Sequence, residues 1–205
     1  MRIGVLADTH HPEFLESLPH RLFEVFEGVE LILHAGDVGG RETLERLARI
    51  APVHAVRGDH DRGLTDLPRE RLLEASGRRI AVIHGNRTRL IEEPVTFVGA
   101  VSLGYIWLTP GLDRWLRARF PDADVIVHGH THAPKLRRTN GTLIFNPGAV
   151  YQVTPAEARA RLKRGPGWFE WSWLQVARHR RRHPEPSVGI LDLDSKGVRA
   201  SIVPL

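Results

Sequence analysis

The apolar positions fall into short blocks that each end in a polar cluster. Residues 2–7 carry Ile3, Val5 and Leu6 among small neighbours, the pattern of a buried strand, and the chain then turns polar at Asp8-Thr9-His10. Residues 12–27 have a helical apolar spacing interrupted at Pro19. Leu31-Ile32-Leu33-His34 predicts a second strand, Glu42 to Ile50 a helix with Leu44, Leu47 and Ala48 on one face, and Val53 to Val56 a third strand. Arg79 to Ile83 predicts a fourth strand ending at His84-Gly85. A helix opens at Thr109-Pro110 and runs to about Arg119, and Asp124 to Val127 predicts another strand ending at His128-Gly129-His130. Leu136–Arg138 and Leu143–Phe145 flank Asn140-Gly141, a strong hairpin-turn signal. Val188–Leu193 and Val198–Val203 predict a second hairpin. Strands alternating with helices, followed by hairpins, imply an α/β core in one domain over 1–205.

One segment departs from this pattern. Residues 151–186 are richer in Arg and Trp than the rest. Thr154-Pro155-Ala156-Glu157 is a helix start, with Thr as the cap, Pro at the first position and Glu at the third. Gly165-Pro166-Gly167 ends that helix. A second follows, with Phe169, Trp173 and Val176 on one face, and then Arg178-His179-Arg180-Arg181-Arg182-His183. Two readings stand: a packed helical flap or subunit contact that would make a homo-oligomer, or an aromatic and basic platform for nucleic acid or a lid.

Composition narrows the chemistry. The 205 residues contain no cysteine, so disulfides, thiolate metal sites and a cysteine nucleophile are excluded. The net charge of +5 suits anionic partners. No run of about 18 apolar residues is present to span a membrane. The first apolar stretch is too short for a signal sequence, so the expected compartment is the cytoplasm.

The polar clusters carry the chemistry. Asp8-Thr9-His10, Gly36-Asp37, Gly58-Asp59-His60-Asp61, His84-Gly85 and His128-Gly129-His130-Thr131-His132 each follow a predicted strand. Sites in open α/β sheets assemble at the carboxyl ends of strands, so these clusters can converge. Aspartate and imidazole suit divalent ions of the Mn, Fe and Zn kind. Gly36, Gly58, Gly85 and Gly129 adjoin proposed ligands and predict positive φ or close backbone approach. Each motif alone is common, and His34 is more often a buried structural histidine than a ligand. The ordered set of five is the signal.

That set resembles the calcineurin-like metallophosphoesterase superfamily, in its small bacterial and archaeal phosphodiesterase branch. Asn146-Pro147-Gly148-Ala149 matches the branch as well, and the resemblance covers about residues 1–150 and 187–205. It implies a four-layer α/β/β/α sandwich, with 151–186 as a C-terminal helical insertion. It implies two divalent metal ions, Mn first, with Fe, Zn, Ni or Co as alternatives. Asp8, His10 and His132 would hold one ion; Asp59, His84 and His130 the other; Asp37 would bridge. A hydroxide between the ions would attack a phosphate ester, with His60 stabilising the transition state or protonating the leaving oxygen. Arg57 is a candidate substrate contact, and His128, Asn146 and Asp61 are candidate supports of the ligands.

One position departs from the family. Asp59 stands where the family has asparagine. Its carboxylate removes a positive charge from the centre and an amide donor from the substrate side. That leaves two rivals to a phosphodiesterase. One is an interaction module with a weakened site, as in the retromer subunit that resembles this branch; the other is a nuclease.

Overall fold

The structure, a computed structural model, describes residues 1–87, 94, 97, 98, 102, 111–179, 184–195 and 197–205. Met1–Gly85, Leu112–Tyr151 and Glu185–Leu205 form one compact unit; Asn86–Gly111 and Gln152–Pro184 form another. The expected helix start at Thr109-Pro110 and the arginines at 180–182 lie outside the described residues.

The first unit is an α/β structure with two mixed five-stranded sheets. In the first, the order is β10 (Gly197–Pro204), β9 (Ser187–Asp194), β1 (Arg2–Leu6), β2 (Leu31–His34), β3 (Val53–Ala55). In the second it is β4 (Glu70–Ala75), β5 (Arg78–Ile83), β6 (Val125–Val127), β8 (Thr142–Asn146), β7 (Lys135–Thr139). β1, β2 and β3 run parallel, as do β5, β6 and β8. The carboxyl ends of the three parallel strands in each sheet therefore point the same way. Five of those six ends, all but that of β8, carry the polar clusters.

Three apolar clusters follow from strand alternation. Ile3, Val5, Leu31 and Leu33 from the first sheet meet Ile80, Val82, Val125, Val127 and Phe145 from the second. On the other face of the first sheet, Leu6 and Ile32 join Leu22 and Phe26 near α1 (His20–Val25) and Leu47 from α2 (Arg41–Ala48). On the other face of the second, Ala81, Ile126 and Ile144 join Leu112 and Leu116 of α3 (Leu112–Arg119). β1, β2, β5, β6, β8 and β9 thus bury alternate residues in different cores, as a period of two requires.

Two expectations are corrected. The helix expected over 12–27 is confined to His20–Val25. Pro12 and Pro19 lack the N–H a helix interior needs, and a residue preceding Pro is biased away from helical backbone, so 11–18 is a turn-rich loop. β4 was not expected, because Glu70-Arg71-Leu72-Leu73-Glu74-Ala75 is built of helix formers. It becomes an edge strand through the turn at Ser76 and Gly77, both at positive φ (48° and 70°). Asn140 and Gly141 make the same kind of turn between β7 and β8 (49° and 84°).

In the second unit, α4 (Pro155–Leu162) and α5 (Trp168–His179) form a helix pair. Thr154 Oγ1 accepts the Glu157 N–H at 3.1 Å, the expected cap. No helix among the described residues is long and apolar enough to cross a membrane.

Candidate metal centre

The loop after β1 is fastened to the loop after β2. Asp8 N–H donates to Gly36 O at 3.0 Å, and the N–H groups of Thr9 and His10 both donate to Asp37 O, at 2.9 and 3.1 Å. Across the sheets, His130 N–H donates to the Asp8 carboxylate at 3.1–3.2 Å, and between the ends of β5 and β6 Gly129 N–H donates to His84 O at 3.0 Å. Asp8, His10, Asp37, His130 and His132 all have φ between 50° and 67°. Left-handed backbone is disfavoured for such residues and collects at functional sites. Among the described residues, the other two positive-φ side-chain residues, Ser76 and Asn140, sit in hairpin turns.

These backbones bring all seven predicted ligands together. Asp8, His10 and His132 offer ligand atoms within 4.8 Å of one another, as do Asp59, His84 and His130. His132 Nε2 is 3.5 Å from Asp8 Oδ1, and His130 Nδ1 is 3.5 Å from Asp59 Oδ2. Between the two groups, Asp37 Oδ2 lies 3.6 Å from His10 Nε2 and 3.4 Å from His84 Nε2. Two atoms each about 2.1 Å from one ion and a tetrahedral angle apart are about 3.4 Å from each other, so the spacing fits shared coordination.

The donor chemistry fits as well. His84 Nδ1 lies 2.8 Å from Ala35 O, and a carbonyl only accepts, so Nδ1 carries a proton. His84 Nε2 faces Asp37, fully buried and without a hydrogen-bond partner, and His10 Nδ1 is likewise unpartnered. Gly58 has no room for a side chain, since a Cβ there would collide with Asp37 Oδ1. Gly129 is similar: its Cβ would lie 2.6 Å from Ala7 Cβ and 2.8 Å from Asp8 Oδ2. Gly36 and Gly85 take positive φ, 88° and 100°.

Electrostatics mark the same place. Burial, reinforced by Asp37, pushes the Asp8 carboxyl up to about 8 against the pull of His84. Burial opposes ionisation of Asp37 too, but His84 and His10 outweigh it and hold it well below the usual carboxylate range. His84 is raised to about 10, because Asp37 and Asp8 overcome the effect of burial. Burial lowers His10 to about 4 and, with His10 beside it, His132 to about 3, so both imidazoles present lone pairs near neutrality.

The supporting candidates divide. Asp61 accepts Gly39 N–H at 3.0 Å and Gly58 N–H at 2.8 Å, which ties the Asp37 and Asp59 loops together. Asn146 Nδ2 donates to Gly129 O and Thr131 Oγ1, each at 3.0 Å, and its Oδ1 accepts Gly148 N–H at 2.9 Å, bracing the loop of His130 and His132. His128 is buried with Nδ1 3.1 Å from Gly129 O. His34 is a structural histidine, 2.8 Å from Thr9 Oγ1. Arg57 donates its backbone N–H to Pro68 O at 2.8 Å; its guanidinium has no ion pair among the described residues. His60 N–H donates to Asp37 Oδ1 at 2.9 Å, and its half-exposed ring meets His10 edge-on at 4.9 Å.

Glu13 had no predicted role. Its carboxylate lies 3.9 Å from His60 Nδ1, and Phe14 and Tyr151 stack at 5.7 Å beside His10. These residues sit in or next to loops without periodicity, and the one available signal was a carboxylate three residues after His10.

Seven aspartate and histidine ligand candidates gather at the carboxyl ends of strands in two sheets, an arrangement consistent with a metal site in an α/β protein. A family model for the calcineurin-like phosphoesterase superfamily domain matches residues 1–162, and the chain belongs to that superfamily. By homology it is a metal-dependent phosphoesterase. It is similar to a probable metallophosphoesterase of Methanothermobacter thermautotrophicus, 37% identical over 150 residues that cover 73% of this chain and 77% of the relative. It is also similar to a phosphodiesterase of Methanocaldococcus jannaschii, 24% identical over 166 residues, 72% of this chain and 83% of that one. Among solved structures it resembles wild-type Vps29 complexed with Zn²⁺ from Entamoeba histolytica, with a TM-score of 0.64 and 19% identity over 100% of this chain and 99% of that chain. At that identity the likeness concerns the fold alone.

Proposed function

We propose that the chain hydrolyses phosphodiesters at a centre of two divalent metal ions, manganese first among them. The observation that carries this reading is Asp37 Oδ2, between an imidazole of each ligand group at 3.6 and 3.4 Å. Asp8, His10 and His132 would hold one ion, Asp59, His84 and His130 the other, with Asp37 shared. When bound, such a pair supplies a water acidic enough to attack phosphorus near neutral pH and offsets charge on the phosphate.

The chain's own residues do the rest. The Ala35 and Asp37 contacts fix the His84 ring. The His130 N–H neutralises part of the Asp8 charge, and Asp61 and Asn146 hold the ligand loops in their left-handed backbones. His60, anchored through its N–H to Asp37 and half open to solvent, is the group available to donate to a phosphoryl oxygen or to the leaving oxygen. Asp59 adds a carboxylate at the exposed edge of its ligand group, which disfavours dianionic monoesters more than monoanionic diesters.

The three apolar clusters support the four-layer α/β/β/α sandwich that the resemblance implies, with α4 and α5 as an addition to it.

The test is hydrolysis of bis-p-nitrophenyl phosphate and p-nitrophenyl phosphate with Mn²⁺ and with EDTA. Manganese-dependent turnover, faster on the diester, is expected. Metal binding without turnover on either ester contradicts the proposal and favours an interaction module on this fold.

A further inference from the structure

The solvent face of α5 is unusual for a helix that buries its other side. Leu174 and Val176 are buried and Trp173 is half-buried. At 100° per residue, Trp168, Trp171, Gln175, Arg178 and His179 fall on the opposite arc. Trp168 is 76% exposed and Trp171 is 43% exposed. Their rings stack 5.6 Å apart at an interplanar angle of 16°, so one pre-stacked aromatic surface faces water. A helix held only by its core would carry polar residues there.

The helix pair over 155–179 carries five arginines and lysines against two glutamates. Arg161 pairs with Glu170 at 2.6 Å and with Glu157 at 3.8 Å, so one cation is shared by the two carboxylates of the helix pair. Arg159, Lys163, Arg164 and Arg178 are exposed and have no acidic partner among the described residues. The sequence continues with Arg180, Arg181 and Arg182. A flat apolar surface on a helix pair with an excess of exposed cations is complementary to a ligand with planar apolar faces on a polyanionic chain.

We infer that the exposed face of α5, with the stacked Trp168 and Trp171 and, on the same arc, Arg178, binds single-stranded nucleic acid with help from the exposed Lys163 and Arg164 just before it in the chain. Bases stack on the indoles and phosphates meet the arginines and lysine. A duplex hides its base faces and fits poorly. A second copy of this chain would bring the same positive charge against itself. The inference goes beyond the phosphodiesterase reading and does not depend on it.

The test is fluorescence anisotropy with labelled dT12 and with a duplex of equal length, using the full chain in EDTA so that binding is read without hydrolysis. The single strand is expected to bind better than the duplex and to weaken steeply as salt rises, because neutralised phosphates release counterions. Trp168→Ala with Trp171→Ala is expected to weaken single-strand binding about tenfold or more, while Trp168→Phe with Trp171→Phe keeps most of it. Circular dichroism checks that the variants are folded. Absence of single-strand binding at low salt, or affinity unchanged in the alanine variant, overturns the inference. So does a concentration-dependent dimer that dissociates on alanine substitution, which would make a second copy the occupant.

Discussion

Gly58 passes so close to Asp37 that a methyl group on it would collide with both Asp37 Oδ1 and Asp37 N. The carboxylate is therefore held from behind by backbone, with His60 N–H on the same Oδ1 at 2.9 Å, and its other oxygen is left to face His10 and His84. Gly58→Ala should displace Asp37 and weaken manganese binding about 10-fold to 100-fold, the range for disturbed support of a metal ligand. Calorimetric titration checks this; unchanged affinity would mean that the loop absorbs the methyl without moving Asp37.

His60 touches Asp37 through its backbone, whereas its ring is half exposed. His60→Ala is expected to keep the full metal content and lower diester turnover about 100-fold, as for a lost general acid or transition-state donor. Metal analysis and kinetics on the same preparation separate the two roles. Loss of an ion would make His60 a ligand.

Much of this centre could be read from the chain. The Asp and His clusters after β1, β2, β3, β5 and β6 were legible because buried strands have strong apolar patterns and their ends are abrupt. Sequence pattern also located the Asn140-Gly141 turn and the Thr154 cap. It missed β4, where helix-forming residues are overruled by a Ser76-Gly77 turn and pairing with β5. It overextended α1, because apolar spacing persisted through a loop that Pro12 and Pro19 keep from being helical. Glu13 and the left-handed backbone of the ligands arise from long-range contacts, which no local pattern encodes.

Burial lowers both His34 and His128 to about 4, below the ordinary 6.5. The unfolded chain then binds more protons than the folded one, so stability is full above pH 6.5 and falls as pH drops toward 4. His10 and His132 have the same sign, while Asp8, pushed up, opposes it. Metal-free protein should show a melting temperature that declines from pH 6.5 to 4.5 in scanning calorimetry. His34→Gln should flatten that decline. A flat wild-type profile would show that these imidazoles take up protons without cost to the fold.

Asp59 Oδ2 sits 3.5 Å from His130 Nδ1 in a group that could hold a metal ion. Its carboxylate repels a dianionic monoester more than a monoanionic diester. Asp59→Asn should raise turnover of both and narrow the preference for diesters, measured at saturating manganese across pH. A fall in both rates with metals retained would give the carboxylate a positive catalytic role. Unchanged rates would mean that it does not face the substrate.

The proposed centre shares one carboxylate between two ion sites. Its most direct measurement is manganese bound per chain, by calorimetric titration with elemental analysis, in the wild type, Asp8→Asn and Asp37→Ala. Two ions are expected in the wild type, weakening of mainly one in Asp8→Asn, and disturbance of both in Asp37→Ala. A single ion in the wild type, or an Asp37→Ala protein that still binds two with unchanged affinity, would contradict the account.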